Sequence, residues 1–244
     1  MNAYASWLIS KLRLQYQPVG LKFSEKKPFN ASFFKKSGSG CIAPLIFSAA
    51  KGKTVAIDSE STGYACSAFY LGYAEWIFNG IEFFLSHSPV PIGRECERFV
   101  ESPALARQFV ESYIPVERNE KTYVFKPVTQ FSEGEKPEIV VFFANADQLS
   151  ALVFLIQHAH PLDYDRVKTG FASACQALVT IPLQYARKGE SKAFWGLHDI
   201  SARTALPKDI MSLSMPYPLF EEICNFAPKS FLITEKWDQI QKRI

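Results

Sequence analysis

Apolar residues recur along this chain in two patterns, one with the helical period and one in short uninterrupted runs typical of strands. Trp7, Leu8 and Leu12, together with Tyr4, share one face at helical spacing and predict an amphipathic N-terminal helix. The runs 121–128 and 138–145 predict strands, and the second is apolar enough to be buried on both faces. A strongly apolar helix is expected over 147–158, with Asp147 as its capping residue.

A longer unit, made of a helix, a glycine and a strand, occurs twice and opens each time with a cysteine. The first copy spans 41–57 and the second 175–197, and in each a Lys-Gly pair separates the apolar helix from the β-prone segment. Helices and strands interleave throughout the sequence without a linker. We therefore expect one α+β domain over residues 1–244, with a mixed β-sheet covered by helices and two halves that suggest a pseudo-duplication.

The composition excludes several classes of protein. Hydrophobic residues make up 48% of the 244 positions and charged residues 21%, as in a globular protein with a sizeable core. The formal net charge of +3, without a basic stripe, argues against a nucleic-acid binder. The apolar runs are too short to cross a bilayer, so no membrane partner is expected. Five cysteines without a disulfide framework favour reduced thiols and a cytoplasmic location.

Three of the cysteines stand near predicted loop-to-helix junctions, namely Cys41, Cys66 and Cys175. The positive end of a helix dipole favours a thiolate, which we expect for Cys41 and Cys175 at the openings of the two units. Three thiolates from separate loops are a donor set for an iron–sulfur cluster or a soft metal ion. The alternative is that these cysteines pack as small hydrophobic side chains, a common use of the residue.

Two polar segments are candidate ligand sites. The loop before Cys41 combines lysines with flexible amides at a helix start, where an anionic group binds readily. Its residues are Lys35, Lys36, Ser37, Gly38, Ser39 and Gly40. The second segment carries His198, Asp199 and Arg203 directly after the strand of the second unit, a position that often holds ligands in sheets. A solvated loop in the first case, and a mutual Asp199–Arg203 ion pair in the second, are the structural alternatives.

The order of several motifs resembles that of the DUF169 family of uncharacterised prokaryotic proteins, and the resemblance covers nearly the whole chain. It is carried by PVGLKF, by the Cys41 helix ending in AAKGK, and by YACSAFYLGY with Cys66. It continues through EIVVFFANADQ, GFASACQA with Cys175, the Asp199 to Arg203 spacing and IMSLSMPYPLFEEI. The resemblance implies an α+β domain with recurrent cysteines at these three positions and no assigned reaction, cofactor or substrate.

The sequence leaves hypotheses of different classes open. In the first, Cys41, Cys66 and Cys175 line one site of a binding or redox protein, with an anionic group held by the lysine loop. In the second, the protein binds a small molecule or an anion without metal or catalysis. GxGxxG, P-loop, HExxH, CxxC and GxSxG strings are absent from the sequence, which argues against the enzyme classes that carry them. The abundant aromatic residues, 14% of the chain, also allow an oligomeric scaffold, and the sequence does not fix the oligomeric state.

Overall fold

The computed structural model describes residues 3–36, 38, 40–87, 95–113 and 121–244. The helices are α1 (Ala3–Lys11), α2 (Ile42–Ala50), α3 (Ala65–Tyr70), α4 (Ile81–Leu85), α5 (Pro103–Glu111), α6 (Ala146–Gln157), α7 (Ile181–Lys188), α8 (Ile200–Arg203), α9 (Tyr217–Phe226) and α10 (Glu235–Gln241). The strands are β1 (Val19–Ser24), β2 (Val55–Ile57), β3 (Thr122–Pro127), β4 (Ile139–Ala144), β5 (Val167–Thr169), β6 (Ala193–Gly196) and β7 (Met211–Pro216).

The strands form one mixed sheet in the order β2-β3-β1-β4-β7-β6-β5. Its neighbours pair antiparallel except β5 and β6, which are parallel. Every residue of the central strand β4 is buried, as its uninterrupted apolar run predicts. The predicted fold class, a single α+β domain with helices around a mixed sheet, is confirmed.

Helices cover both faces of the sheet because alternate residues of β4 point into two separate apolar layers. Val141 and Phe143 lie in a layer shared with α2, α3 and α7, whereas Val140 and Phe142 lie in a layer shared with α1, α6 and α9. The cysteines at the helix starts belong to the first of these layers. Among the described residues, no helix is both long and apolar enough to cross a membrane.

Both predicted helix–glycine–strand units are present, but they occupy different places in the sheet. In the first, α2 leads through Gly52 (φ +100°) to β2 at one edge. In the second, one π-helical turn, Gln176–Thr180, runs into α7, which ends at Gly189 (φ +66°) before β6. Both glycines adopt the left-handed conformation that L side chains disfavour, which explains why a glycine follows the lysine at the end of each helix.

Two local expectations are corrected by the packing. In α1 the predicted Leu8 and Leu12 are buried and Trp7 packs partly buried against the same layer, but Ala5 completes the buried stripe and Tyr4 is exposed. Asn145, not Asp147, caps α6, because its side chain accepts the Gln148 amide while the Gln148 side chain accepts the Asn145 amide. This reciprocal capping box satisfies two amides that a cap at Asp147 would leave unpaired.

Candidate functional site: a buried cysteine cluster

Three helix starts bring Cys41, Cys66 and Cys175 together in the apolar layer around α2 and α3. Cys41 is the N-cap of α2, and Cys66 lies in the first turn of α3. Cys175 lies in the first turn of the helix that leads into the π-helical turn, is 2% exposed and belongs to the core. The three thiols are close enough for the charge of each to influence the others, so the structure brings together the side chains that the sequence singled out.

Cys66 and Cys175 interact directly, and their pKa values shift in opposite directions. The interaction with the Cys175 side chain lowers the pKa of Cys66, although burial and the charge of Asp199 oppose the shift. The backbone amides at the N-terminus of α3 act in the same direction as Cys175. The same interaction, followed by burial, raises the pKa of Cys175 well above its ordinary value. Cys66 is therefore the member of the pair that ionises more readily.

The prediction of favoured thiolates at Cys41 and Cys175 is wrong. The Cys41 sulfur does accept the Ala43 amide at 3.5 Å, as expected for a helix cap. Burial nevertheless raises the pKa of Cys41 to about 12. Desolvation of a charged sulfur outweighs one amide and the end of a helix dipole, whose influence fades within the first turn.

Asp199 lies beside the cluster and connects two helix starts. Its Oδ2 accepts the Ala174 amide at 3.0 Å, immediately before Cys175, and its Oδ1 accepts the Ser201 amide at 3.1 Å in α8. Arg203 does not complete the predicted ion pair with Asp199, because its guanidinium donates instead to the carbonyl oxygens of Ile210, Pro207 and Lys208. His198 lies apart from the thiols, with its Nε2 at 3.0 Å from the Thr169 hydroxyl.

Further groups of the site escape the sequence reasoning. Ser173 caps the Cys175 helix: its hydroxyl accepts the Gln176 amide, and its own amide donates to the Gln176 side-chain oxygen. The spacing Ser173-x-x-Gln176 does encode this capping box. Burial followed by the nearby cysteines raises the Tyr70 pKa, and the Ser173 side chain opposes this shift. Burial and the charge of Asp199 raise the pKa of Glu97. No local sequence signal marks Tyr70 or Glu97, since only the tertiary fold brings them here.

The predicted anion loop packs next to α3. Ser37 and Ser39 lie outside the described residues, and both Lys35 and Lys36 are exposed. The Gly38 amide donates to the Gly63 carbonyl, and the Gly40 carbonyl accepts the Tyr64 amide at 2.8 Å. Gly38 and Gly40 are therefore held against the turn that leads to Cys66, while anion binding by the loop stays a prediction.

Metal ligation by the cysteines also stays a prediction. Within the described part of the chain, no group of three or more His, Cys, Asp or Glu side chains is arranged to hold a metal ion. The Cys66 and Cys175 side chains interact with each other, and the third thiol, Cys41, accepts an amide of its own helix. The observed geometry thus describes a thiol pair with a third thiol nearby.

The protein is thus of the α+β class, and three of its cysteines lie at neighbouring helix starts. The chain matches the model of the DUF169 family, described as "Uncharacterised ArCR", over residues 8–225 of 244. It therefore belongs to the DUF169 family, as the motif order indicates. No curated protein and no solved structure matches the chain.

Proposed function

We propose that this protein is a dithiol redox protein, in which Cys66 and Cys175 alternate between two thiols and a disulfide. The observation that carries the proposal is the direct interaction of the two side chains at neighbouring helix starts, through which each shifts the pKa of the other. A disulfide would join their sulfurs at roughly 2.05 Å. A pair of reduced thiols of this kind is in keeping with a cytoplasmic location.

The two cysteines differ in the way that thiol–disulfide exchange requires. Cys66 is partly exposed and has the lowered pKa, so it is the thiol that ionises more readily and that an incoming substrate meets. Cys175 is buried behind it and keeps its proton. We therefore assign Cys66 as the attacking cysteine and Cys175 as the resolving one.

The reaction partner is a disulfide R–S–S–R. The Cys66 thiolate attacks one sulfur of the substrate, the substrate S–S bond breaks, and one R–S⁻ leaves with a mixed disulfide on Cys66. Cys175 then gives up its proton and attacks the Cys66 sulfur, and the second R–S⁻ leaves. Two electrons pass from the two cysteines to the substrate. One released thiolate takes up the proton that Cys175 gives up and the other takes a proton from solvent, so both leave as R–SH.

The Lys35–Gly40 loop supports an anionic disulfide as the substrate. Its backbone is held to Gly63 and Tyr64, directly before the helix that carries Cys66, and its lysines are exposed. A carboxylate on the substrate would find positive charge there before reaching Cys66. Exchange should accordingly be faster with oxidised glutathione than with the cationic disulfide cystamine, and the replacement Lys35→Gln should reduce that difference.

The direct test is to equilibrate the reduced protein with oxidised glutathione and to locate disulfides by peptide mass spectrometry. We expect a Cys66–Cys175 disulfide that forms in Cys41→Ser and in the matched control Cys224→Ser, whose thiol is buried in the opposite layer. Cys66→Ser should lose all exchange, and Cys175→Ser should stop at a mixed disulfide on Cys66. A disulfide between another pair, or none at all, would overturn the proposal.

A thiolate site for a soft metal ion or an iron–sulfur cluster is the second candidate, and the presence of Cys41 beside the pair favours it. When ionised, Cys41, Cys66 and Asp199 each raise the pKa of Cys175, so the cluster concentrates negative charge that a bound cation would relieve. Metal analysis and visible spectra of anaerobically prepared protein separate the two functions. Stoichiometric metal that is lost in both Cys41→Ser and Cys175→Ser would favour ligation, because a dithiol pair does not need Cys41.

A further inference from the structure

The Asp199 carboxylate holds two helix starts at once. Its Oδ1 caps α8 by accepting the Ser201 amide at 3.1 Å and the Ser201 hydroxyl at 2.7 Å. Its Oδ2 reaches across to the Ala174 amide at 3.0 Å, which opens the helix carrying Cys175. Capping α8 alone would use one oxygen, so the second bond ties the position of Cys175 to that of Asp199.

The backbone before Asp199 is strained in a way that fixes the carboxylate. Leu197, between β6 and Asp199, is fully buried and has a φ of +67°, in the left-handed region that a branched side chain rarely adopts. Asp199 itself is only 8% exposed. Such a conformation persists only where the surrounding packing determines it, and it is common at functional sites.

The charge of Asp199 reaches all three thiols. It acts on Cys41 at the start of α2, on Cys66 at the start of α3 and on Cys175, and in each case it opposes ionisation. The other titratable groups that face the pair are Tyr70 on α3, which feels the two cysteines, and Glu97 on the segment before α5, which feels Asp199. All of these groups are neutral or negative, so Asp199 has no opposing cation among them.

We propose that Asp199 is the positioning residue of the thiol pair: it holds the helix start of Cys175 in place and, by its charge, opposes ionisation of that thiol. This proposal rests on the proposed dithiol function in one respect. The purpose that we assign to Asp199 is to keep Cys175, the resolving cysteine, unreactive until Cys66 has reacted. The geometry and the charge effect do not depend on a redox reaction.

The test is the pH dependence of iodoacetamide alkylation at Cys66 and Cys175, read peptide by peptide in reduced protein. Asp199→Asn keeps a hydrogen-bond acceptor but removes the charge, and we expect the alkylation midpoint of Cys175 to fall by about one pH unit, with that of Cys66 falling in the same direction. Asp199→Ser, which retains a helix cap, should shift it in the same direction, and Asp199→Glu should keep the wild-type midpoint. The matched control Asp209→Asn, at an exposed carboxylate before β7, should leave the midpoint unchanged.

A merely structural role predicts a different result. In that case the neutral variants would lower the melting temperature while the alkylation midpoint stayed in place, and the proposal would be overturned. Disulfide formation with oxidised glutathione is measured separately on the same variants. If the midpoint shifts but no Cys66–Cys175 disulfide forms in wild type, Asp199 still governs the thiols and only the redox function has failed.

Discussion

The two helix–glycine–strand units hold their opening cysteines in different ways. Cys41 is itself the cap of α2, partly exposed and bonded to an amide of its own helix. Cys175 is buried in the first turn of its helix, which Ser173 caps, and its side chain interacts with Cys66. The first unit ends in the edge strand β2, whereas the strand of the second, β6, is enclosed between β5 and β7.

This difference shows what a repeated pattern does and does not determine. The pattern places a cysteine at the start of each helix and a left-handed glycine after it, in both units. It does not determine which thiol ionises most readily, since the lowered pKa belongs to Cys66, which lies in neither unit. Reactivity at this site depends on the partner that each sulfur meets, and tertiary packing chooses that partner.

The largest expected effect is at Gly196 in the second unit. A Cβ there would lie 2.5 Å from the Ala177 Cβ and 3.1 Å from the Ser212 Oγ, so Gly196→Ala should push the π-helical turn off the sheet. We expect a loss of about 3 kcal/mol in the free energy of unfolding, measured by urea denaturation. The matched control is Gly52→Ala in the first unit, where a Cβ meets open space and only φ is unfavourable, and it should cost about 1 kcal/mol. Equal losses in the two variants would contradict this account of close helix–sheet contact.

A smaller effect separates the two opening cysteines. Under reducing conditions Cys175→Ser should destabilise the protein by about 2 kcal/mol, because it buries a hydroxyl and weakens the contact with Cys66. Cys41→Ser should change the free energy of unfolding by less than about 0.5 kcal/mol, since serine is a favoured helix cap and can accept the same Ala43 amide. Thermal unfolding of the two variants side by side measures the difference, and a reversal of their order would show that the two sites are alike.

Much of the fold can be predicted from the sequence, because the sequence signals for it are local. The buried run of β4, the left-handed glycines and the opening cysteines all follow from residue type and period. The buried stripe of α1 was only partly predicted. Trp7 and Tyr4 count as apolar in the sequence, but only the packed helix shows that Ala5 faces inward.

The candidate site could be predicted only in part, because the pKa values and contacts of its residues depend on groups that are distant in the sequence. The predicted convergence of Cys41, Cys66 and Cys175 concerns residue types at helix starts, which a sequence displays. The bond from Asp199 to the Ala174 amide joins residues that no local pattern connects. An Asp199–Arg203 pair is the simpler expectation along the chain, and it fails because carbonyl oxygens between α8 and β7 take the guanidinium instead.

The smallest expected effect concerns a buried hydroxyl group in the second unit. Thr180, where the π-helical turn meets α7, is fully buried, and its hydroxyl has no hydrogen-bond partner among the described residues. Its counterpart in the first unit is Ser48 of α2, whose hydroxyl donates to the Leu45 carbonyl at 2.6 Å. Thr180→Val should therefore raise the free energy of unfolding by about 1 kcal/mol, whereas Ser48→Ala should lower it by about 0.5 kcal/mol. Opposite signs in urea denaturation would show that the second unit carries an uncompensated polar group where the first does not. A loss in both variants would mean that the Thr180 hydroxyl contributes a hydrogen bond to the native state.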